Sequence, residues 1–337
     1  MPTLRDIAEP LGLSISTVSR ALTGHPHVDE DTRRRVVSAA KRMGYQSNVL
    51  ARALRSRETK IVGLIVPDIR TYFFAQVATF LQSLLEEHGY RVMLCMSHED
   101  EQAEAEYLRT LLQYQVDGII YVPCAPAGAG SMFRMLERQI PVIELTRYSS
   151  AGLFDAVTAD DYDGGWRLGG HLSALGHRRV GMIAGPMELS TTRDRVTGFS
   201  EAFARDKLRE APTILYGPYS DEWGEKALHQ LMEAAQRPTA VFASSTQIVI
   251  GALKAAADLG ITIPQQLSLV GYDDPDWYAI WHPPITTYAS PLKEMGLAAA
   301  RQLIARIQDR DRSSTPTRFR LSGQLLLRQS AAMISSG

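Results

Sequence analysis

A predicted helix near the N-terminus has an outer face suited to contact with nucleic acid. Within residues 13–24, LSISTVSRALTG, the apolar residues Val18, Ala21 and Leu22 recur at helical spacing and predict an inner face. The outer face contains small hydroxyl side chains, which let a helix approach phosphates and base edges. It also contains one arginine, which can donate two hydrogen bonds to guanine, and an isoleucine that can contact a thymine methyl group. The predicted DNA-contacting residues are Ile15, Ser16, Thr17, Ser19 and Arg20.

The elements around this helix predict a helix-turn-helix. TLRDIAEPLG supplies the preceding helix, Gly12 the turn, and Ser14 a side-chain cap for the second helix. Because Pro10 removes a backbone donor late in the first helix, that helix is expected to end tightly or to kink. A third helix, DEDTRRRVVSAAKRMGY, has an acidic first turn and a basic last turn, as the helix dipole prefers. The pattern taken alone also fits an ordinary helical hairpin.

The charge of the chain is unevenly distributed. Residues 1–60 contain 11 Lys and Arg against 6 Asp and Glu, although the whole chain has a net charge of -1. A basic small module on an acidic remainder indicates that only the first part meets a polyanion.

Composition places the chain among globular proteins. The 337 residues, of which 45% are hydrophobic, suffice for two or three domains with buried cores. Cys95 and Cys124 are the only cysteines and have no metal-site spacing, which favours a reducing compartment over a disulfide scaffold. The N-terminus lacks a signal-peptide pattern, and no apolar stretch is long enough to span a membrane. A cytoplasmic protein without membrane contact is therefore expected.

From Lys60 onward, strand and helix patterns alternate in two successive series. The first strands are KIVGLIVP, YRVMLCMS, VDGIIYVP and IPVIEL, and the second series contains RRVGMIAG, PTAVFASS and LSLVGYDD. Such buried runs separated by helices predict two doubly wound parallel sheets, with a ligand at the strand ends where the lobes face each other.

Enzyme motifs are missing from this region. It has no GxGxxG after a strand, no Walker loop, no GxSxG and no HExxH, so we expect neither an enzyme nor a bound cofactor or metal. Asp160, Asp161 and Asp163 lack the spacing of a calcium loop, and a helix N-terminus explains them better.

Ordered motifs over the whole chain resemble the LacI/GalR family of bacterial transcription regulators. They are TLRDIAEPLGLSISTVSRALTG, VDEDTRRRVVSAAKRMGY, NVLARALRS, KIVGLIVPD, GHRRVGMIAGP and LSLVGYDD. The resemblance implies an all-α helix-turn-helix headpiece followed by an α/β, two-lobed core like that of periplasmic binding proteins. The expected parts are a headpiece at 1–46, a hinge helix and linker at 47–59, a first core lobe at 60–159 with 291–319, and a second at 160–290 with 320–337.

The resemblance assigns the leucines of VLARALRS to a hinge helix. In the family, two hinge helices of a dimer pack in the minor groove of the operator, where a leucine wedges between base pairs. Because an eight-residue helix is marginal in water, we expect it to become ordered only on DNA. The hinge residues expected at the DNA are Asn48, Ala51, Arg52, Leu54 and Arg55.

The resemblance also implies an effector cleft between the lobes. The family stacks its ligand on aromatic side chains and binds it through an arginine and an aspartate. The resemblance therefore implies eight effector-binding residues: Phe73, Phe74, Arg147, Arg193, Arg195, Tyr219, Thr246 and Asp273. Thr246 stands where many members have an acid, and fewer acids with more arginines favour an anionic ligand. A sugar acid is therefore preferred over a neutral sugar, and Leu189, in place of a polar contact, argues against a purine.

The expected function is a repressor of carbohydrate or sugar-acid utilisation genes that binds a pseudo-palindromic operator as a homodimer. A sugar-binding transport protein is the alternative from another class, but it does not explain the basic headpiece. The chain ends at LLLRQSAAMISSG without a heptad extension, which favours a dimer over a tetramer.

Overall fold

A computed structural model describes residues 2–22, 25, 27–45, 58–126, 140–204, 211–309 and 315–334. The chain divides into two compact units, Met1–Thr59 and Lys60–Gly337. Within these ranges, no helix has both the length and the apolar character that crossing a membrane requires.

The N-terminal unit contains the three predicted helices, α1 (Leu4–Leu11), α2 (Ile15–Leu22) and α3 (Glu30–Arg42). Thr3 and Asp6 form a capping box at the start of α1. Gly12 makes the turn with φ 65°, and Pro10 is followed by a single helical residue, so α1 ends as tightly as expected. The backbone N–H of Thr17 donates to Ser14 Oγ at 3.0 Å, which confirms the predicted cap of α2.

A small apolar core holds these helices together. Ile7, Val18 and Val36 each come from a different helix and are completely buried. Alanines complete the core, and their small side chains allow the helices to lie close. The inner face predicted for α2 is therefore confirmed for Val18 and Ala21.

The first lobe of the larger unit is a six-stranded parallel sheet with strand order β11-β5-β4-β3-β1-β2. Helices cover both faces, with α4 and α11 on one side and α5 on the other. The strands are β1 Ile61–Val66, β2 Arg91–Met96, β3 Gly118–Tyr121, β4 Val142–Leu145, β5 Asp155–Ala159 and β11 Arg318–Leu321. The helices are α4 Tyr72–Glu87, α5 Glu101–Gln113 and α11 Leu292–Gln308.

The second lobe repeats this architecture with strand order β12-β10-β9-β8-β6-β7. Among its described strands, β12 is antiparallel to its neighbour and the others are parallel. Its strands are β6 Val180–Ala184, β7 Thr213–Tyr216, β8 Ala240–Ala243, β9 Ser268–Tyr272, β10 Thr286–Ala289 and β12 Gln324–Leu326. Its helices are α6 Asp161–Ala174, α7 Ser190–Ala204, α8 Asp221–Glu233, α9 Thr246–Asp258 and the short α10 Trp277–Ile280.

The seven strand patterns quoted from the sequence all form strands, which confirms the two doubly wound sheets. β2 was expected to be buried but is partly exposed, because it lies at the edge of its sheet. The sequence patterns did not predict β5, β7, β10, β11, β12, α7 and α10, because these segments are short or rich in polar residues. In β5, for example, Asp155 is buried and forms an ion pair with Arg306 at 2.6 Å. Such a residue breaks the apolar run that indicates a buried strand.

Three described segments connect the lobes: the link from β5 to α6, the link from β10 to α11, and the residues between β11 and β12. The sequence-based boundary at 319/320 was placed too early, because Arg320 and Leu321 still pair with the first sheet. The second sheet resumes at Gln324.

Candidate functional site

A cleft of about 710 Å³ lies in the larger unit between its two lobes. Its walls are loops and helix starts that follow the carboxyl ends of parallel strands, where ligands bind in open α/β sheets. The first lobe contributes residues after β1, β2 and β4. The second contributes residues after β6, β7, β8 and β9.

Two aromatic rings form an apolar part of the wall. Phe73 and Phe74 lie in the first turn of α4, with ring centroids 5.2 Å apart and planes at 81°. Both rings also belong to the core of the first lobe, which fixes their position. They can therefore offer a rigid apolar surface to a ligand while supporting the fold.

Arg147 is buried in the wall and is already paired. Its Nη1 and Nη2 donate to the two carboxylate oxygens of Glu99, each at 2.7 Å, in a bidentate arrangement. Nη1 also donates to the carbonyl oxygen of Pro123 at 3.2 Å. Among the described residues, the buried Nε has no hydrogen-bond partner.

Arg195 occupies a similar position in the second lobe. Its Nε donates to Asp161 Oδ1 at 2.7 Å, and its Nη1 donates to the carbonyl oxygen of Ser244. The guanidinium carbon lies 3.7 Å from the ring centroid of Tyr272, whose hydroxyl donates to the same Asp161 oxygen at 2.9 Å. Burial raises the pKa of Asp161, and the Arg195 guanidinium opposes this effect.

Asp273 follows β9 and lines the cleft from a left-handed backbone conformation, with φ 61°. Ser290 donates its hydroxyl proton to Asp273 Oδ1 at 2.6 Å. Burial raises the pKa of Asp273 to about 6, while the nearby Arg195 opposes the rise. This carboxylate is therefore a desolvated acceptor, which gains from any hydroxyl group that donates to it.

Strained backbone is concentrated around the cleft. His98, Glu99, Thr146 and Asp273 all line it and all have positive φ, between 54° and 69°. A β-branched residue such as Thr146 rarely adopts this conformation, so the surrounding structure must hold it there. Strain of this kind is typical of sites where side chains are fixed in advance for a ligand.

Six of the eight expected effector residues line the cleft: Phe73, Phe74, Arg147, Arg195, Tyr219 and Asp273. Arg193 does not. It is exposed on α7, where Nη1 donates to the carbonyl oxygen of Glu188. Thr246 is buried at the start of α9, and its neighbours Ser245 and Gln247 face the cleft instead. The placement of Arg193 and Thr246 in the cleft was therefore wrong.

Several acidic and basic residues of the lining were not predicted from the sequence. Asp68 and Arg70 follow β1, His98 and Glu99 follow β2, and Asp221 and Glu222 begin α8. Their position directly after predicted strands was a usable signal for the first four, since strand ends in such sheets meet at the ligand site.

The exposed face of α2 contains the predicted DNA-contacting residues. Ile15 has 43% of its surface exposed, Ser16 and Arg20 are exposed, and Thr17 and Ser19 are half-buried. At this exposed position the Ile15 side chain can contact the methyl group of a thymine. Asn48, Ala51, Arg52, Leu54 and Arg55 lie outside the described residues.

One group of side chains has the composition of a metal site. Ligand atoms of Glu225 and His229 on α8 and of Asp258 at the end of α9 lie within 4.8 Å of one another. The spacing of four places Glu225 and His229 on one side of their helix. Asp258 is exposed, and the group lies outside the cleft.

Comparison with known proteins identifies the family. Residues 3–48 match the bacterial regulatory proteins of the lacI family, and residues 170–331 match the periplasmic binding protein-like domain. The HTH-type transcriptional repressor PurR of Proteus mirabilis (strain HI4320) is 33% identical over 311 residues, which are 91% of each chain. The chain belongs to the LacI family.

Solved structures support the same fold for this LacI-family protein. The lac repressor dimer bound to operator and the anti-inducer ONPF superposes with a TM-score of 0.87 at 24% identity, over 98% of this chain and 99% of that one. A LacI-family regulator from Enterococcus faecium with bound ribose superposes with a TM-score of 0.72 at 28% identity, over 82% of this chain and 100% of that one. The LacI-family chain is thus a DNA-binding transcriptional repressor with a headpiece and a two-lobed core.

Proposed function

We propose that a small molecule bound in the cleft controls this repressor and that its target genes serve the use of a carbohydrate or sugar acid. The observation that carries the proposal is a cleft whose two walls present fixed donors and acceptors, Arg147 from one lobe and Arg195 and Asp273 from the other, beside an aromatic surface. A few placed polar groups in a partly apolar cleft are typical of a ligand site. The bound ribose of the Enterococcus faecium relative supports a sugar-like ligand.

Contacts between the lobes give the ligand a route to the rest of the molecule. Tyr148, next to Arg147, donates its backbone N–H to Ser190 Oγ at 3.2 Å, and its hydroxyl lies 3.4 Å from Asp194 Oδ2. Ser190 and Asp194 lie on α7, the helix that presents Arg195 to the cleft. A ligand that draws these walls together shifts the equilibrium between lobe arrangements, and operator and effector then influence each other reciprocally.

At the DNA, we propose that Ile15, Ser16 and Arg20 contact base edges and that Thr17 and Ser19 contact phosphates. Two copies of the chain read a pseudo-palindromic operator as a homodimer, because half-sites mirror the two-fold symmetry of the protein. The hinge residues Asn48, Ala51, Arg52, Leu54 and Arg55 add contacts in the minor groove.

Capture of genomic fragments by the purified protein tests this function. Fragments bound by the wild type, and not by the Arg20→Ala variant, define the operator. A cellular metabolite fraction is then added, and fragments are expected to be released or retained more tightly. A protein that captures no fragment in preference to random DNA contradicts the proposed DNA-binding role. A protein that binds its operator with unchanged affinity in every fraction contradicts the effector role.

A further inference from the structure

The charges that line the cleft are mostly neutralised by the protein itself. Among the described residues, three arginines and five carboxylates line it. Arg70 pairs with Asp68 at 2.7 Å, and Lys254, outside the lining, pairs with Asp221 at 2.5 Å. Arg195 pairs with Asp161, which lies behind the wall. A charged ligand therefore meets paired arginines rather than available ones.

Arg147 shows this most directly. Glu99 accepts from both Nη atoms, and the remaining Nε is buried away from the cleft solvent. Glu99 occupies the end-on fork of Nη1 and Nη2, so a ligand carboxylate that binds this fork must displace Glu99. Displacement leaves the Glu99 carboxylate near a second anion, which costs free energy in a partly desolvated site.

Two further carboxylates of the lining face the ligand space with no arginine or lysine paired to them among the described residues, Glu222 and Asp273. Within the described ranges, the Asp273 carboxylate accepts its side-chain hydrogen bond from the Ser290 hydroxyl, and Arg195 lies near it without forming an ion pair. An anionic ligand placed beside them is repelled, whereas hydroxyl groups can donate to these oxygens. Phe73 and Phe74 add an apolar surface that suits the C–H face of a ring.

We infer that the cleft selects an uncharged, hydroxyl-rich ligand over an anionic one, and that Glu99 sets this selectivity by neutralising Arg147. The inference rests on the proposed effector function and reverses the preference for a sugar acid that the count of arginines suggested. Glu99 is thus a specificity-determining residue, although it was not recognised in the sequence.

The test compares three probes with one carbon skeleton and different charges: glucose, gluconate and glucosamine. Binding to the wild type, Glu99→Gln and Glu101→Gln is measured by calorimetry and thermal shift. Glu101 is the matched control, since it lies two residues away, is exposed and does not line the cleft. Gln at position 99 keeps the size of the side chain and removes its charge.

Glu99→Gln is expected to bind gluconate at least about tenfold more tightly than the wild type and Glu101→Gln do, a difference of about 1.4 kcal/mol. The inference is overturned if the wild type binds gluconate more tightly than it binds glucose and glucosamine. A Glu99→Gln variant without any gain for gluconate overturns the role of Glu99, and glucosamine as the tightest probe of the wild type shows selection for a cation instead.

These outcomes are separable from failure of the proposed function. Binding of the three probes is measured on the protein without DNA. The measurement can therefore support the charge selectivity of the cleft even when no operator is found. In the opposite case, a metabolite fraction releases the operator while Glu99→Gln shows no gain in affinity for gluconate. That result refutes the charge selectivity and leaves the proposed effector function standing.

Discussion

Arg195 and Asp161 form a buried ion pair that joins α7 to α6 inside the second lobe, with Nε and Oδ1 2.7 Å apart. Both side chains are almost completely shielded from water, and the ring of Tyr272 lies against the guanidinium. A residue proposed to contact the effector is therefore also part of the structure that holds the cleft wall. Substitution of Arg195 is expected to affect stability as well as ligand binding.

Replacing Arg195 by Met leaves Asp161 buried without its cation, so a loss of about 3–5 kcal/mol in the free energy of unfolding is expected. Urea unfolding followed by tryptophan fluorescence measures it, because all four tryptophans lie in the second lobe. The double variant Arg195→Met/Asp161→Asn removes the stranded charge and should recover part of the loss. A loss below about 1 kcal/mol for the single variant contradicts the importance of the pair.

Asp273→Asn is expected to change how stability depends on pH. Burial raises the pKa of Asp273 from an ordinary 3.8 to about 6, so between these values the folded protein holds a proton that the unfolded chain releases. Protonation of Asp273 therefore stabilises the folded state most at pH values below about 4, and this stabilisation is lost as the pH rises through about 6. From pH 4 to 7, the stability of the wild type relative to Asp273→Asn should fall by about 2 kcal/mol.

Denaturant unfolding of both proteins at several pH values provides this difference and cancels the contributions of other groups. Asn is a suitable replacement, since it tolerates the positive φ of position 273. A difference that stays constant across the range contradicts the raised pKa.

Gly165→Ala should disturb the packing of α6 against α7. A Cβ atom at Gly165 would lie 2.1 Å from the carbonyl oxygen of Arg195, so α7 must move. A loss of about 1–3 kcal/mol is expected, with weaker effector binding because α7 presents Arg195. Gly170→Ala is the control on the same helix, where a Cβ has open space. It should gain up to about 1 kcal/mol in thermal or urea unfolding.

Tyr148→Ala should change the affinity for the operator, although Tyr148 lies outside the headpiece. The Tyr148 hydroxyl donates to Asp194 Oδ2 of the second lobe at 3.4 Å, and the centroid of its ring lies 3.4 Å from the Arg318 guanidinium carbon. Alanine removes both contacts and keeps the backbone N–H that donates to Ser190 Oγ. Because the equilibrium between lobe arrangements changes, the coupling energy between the core and the operator site is expected to change by about 0.5–2 kcal/mol. This corresponds to a change of roughly 2- to 30-fold in the dissociation constant of the operator. Fluorescence anisotropy measures it, and Tyr114→Ala, an exposed tyrosine, should have no effect. Equal affinities for both variants would exclude Tyr148 from the coupling.

Arg20→Ala should weaken specific DNA binding. Loss of a bidentate contact to guanine costs about 1–3 kcal/mol and relaxes the sequence preference at one position of each half-site. Titration of the captured operator and of a scrambled duplex separates specific from general binding. Arg91→Ala serves as the control, because it removes an exposed, ion-paired arginine from the first lobe, outside the headpiece. A uniform loss on both duplexes would instead indicate that Arg20 contacts phosphate.

The sequence alone determined the headpiece and most of the central strands. Caps such as Ser14, the turn at Gly12 and the apolar period of α2 are local patterns, and local patterns form in the same way wherever the segment lies. Buried parallel strands are recognisable because both faces of each strand are covered and the run is continuously apolar.

Only the tertiary structure decided the charges in the cleft. Arg193 and Arg195 are two residues apart on α7, which turns their side chains by roughly 200° around the helix, so one is exposed and the other faces the ligand space. Because α7 was not recognised as a helix, the sequence offered no means to tell them apart. Glu99 and Arg147 are 48 residues apart, and their pairing depends on two strand ends meeting at one edge of the sheet. Long-range pairing of this kind leaves no local pattern, and it determines whether an arginine is available to an anion.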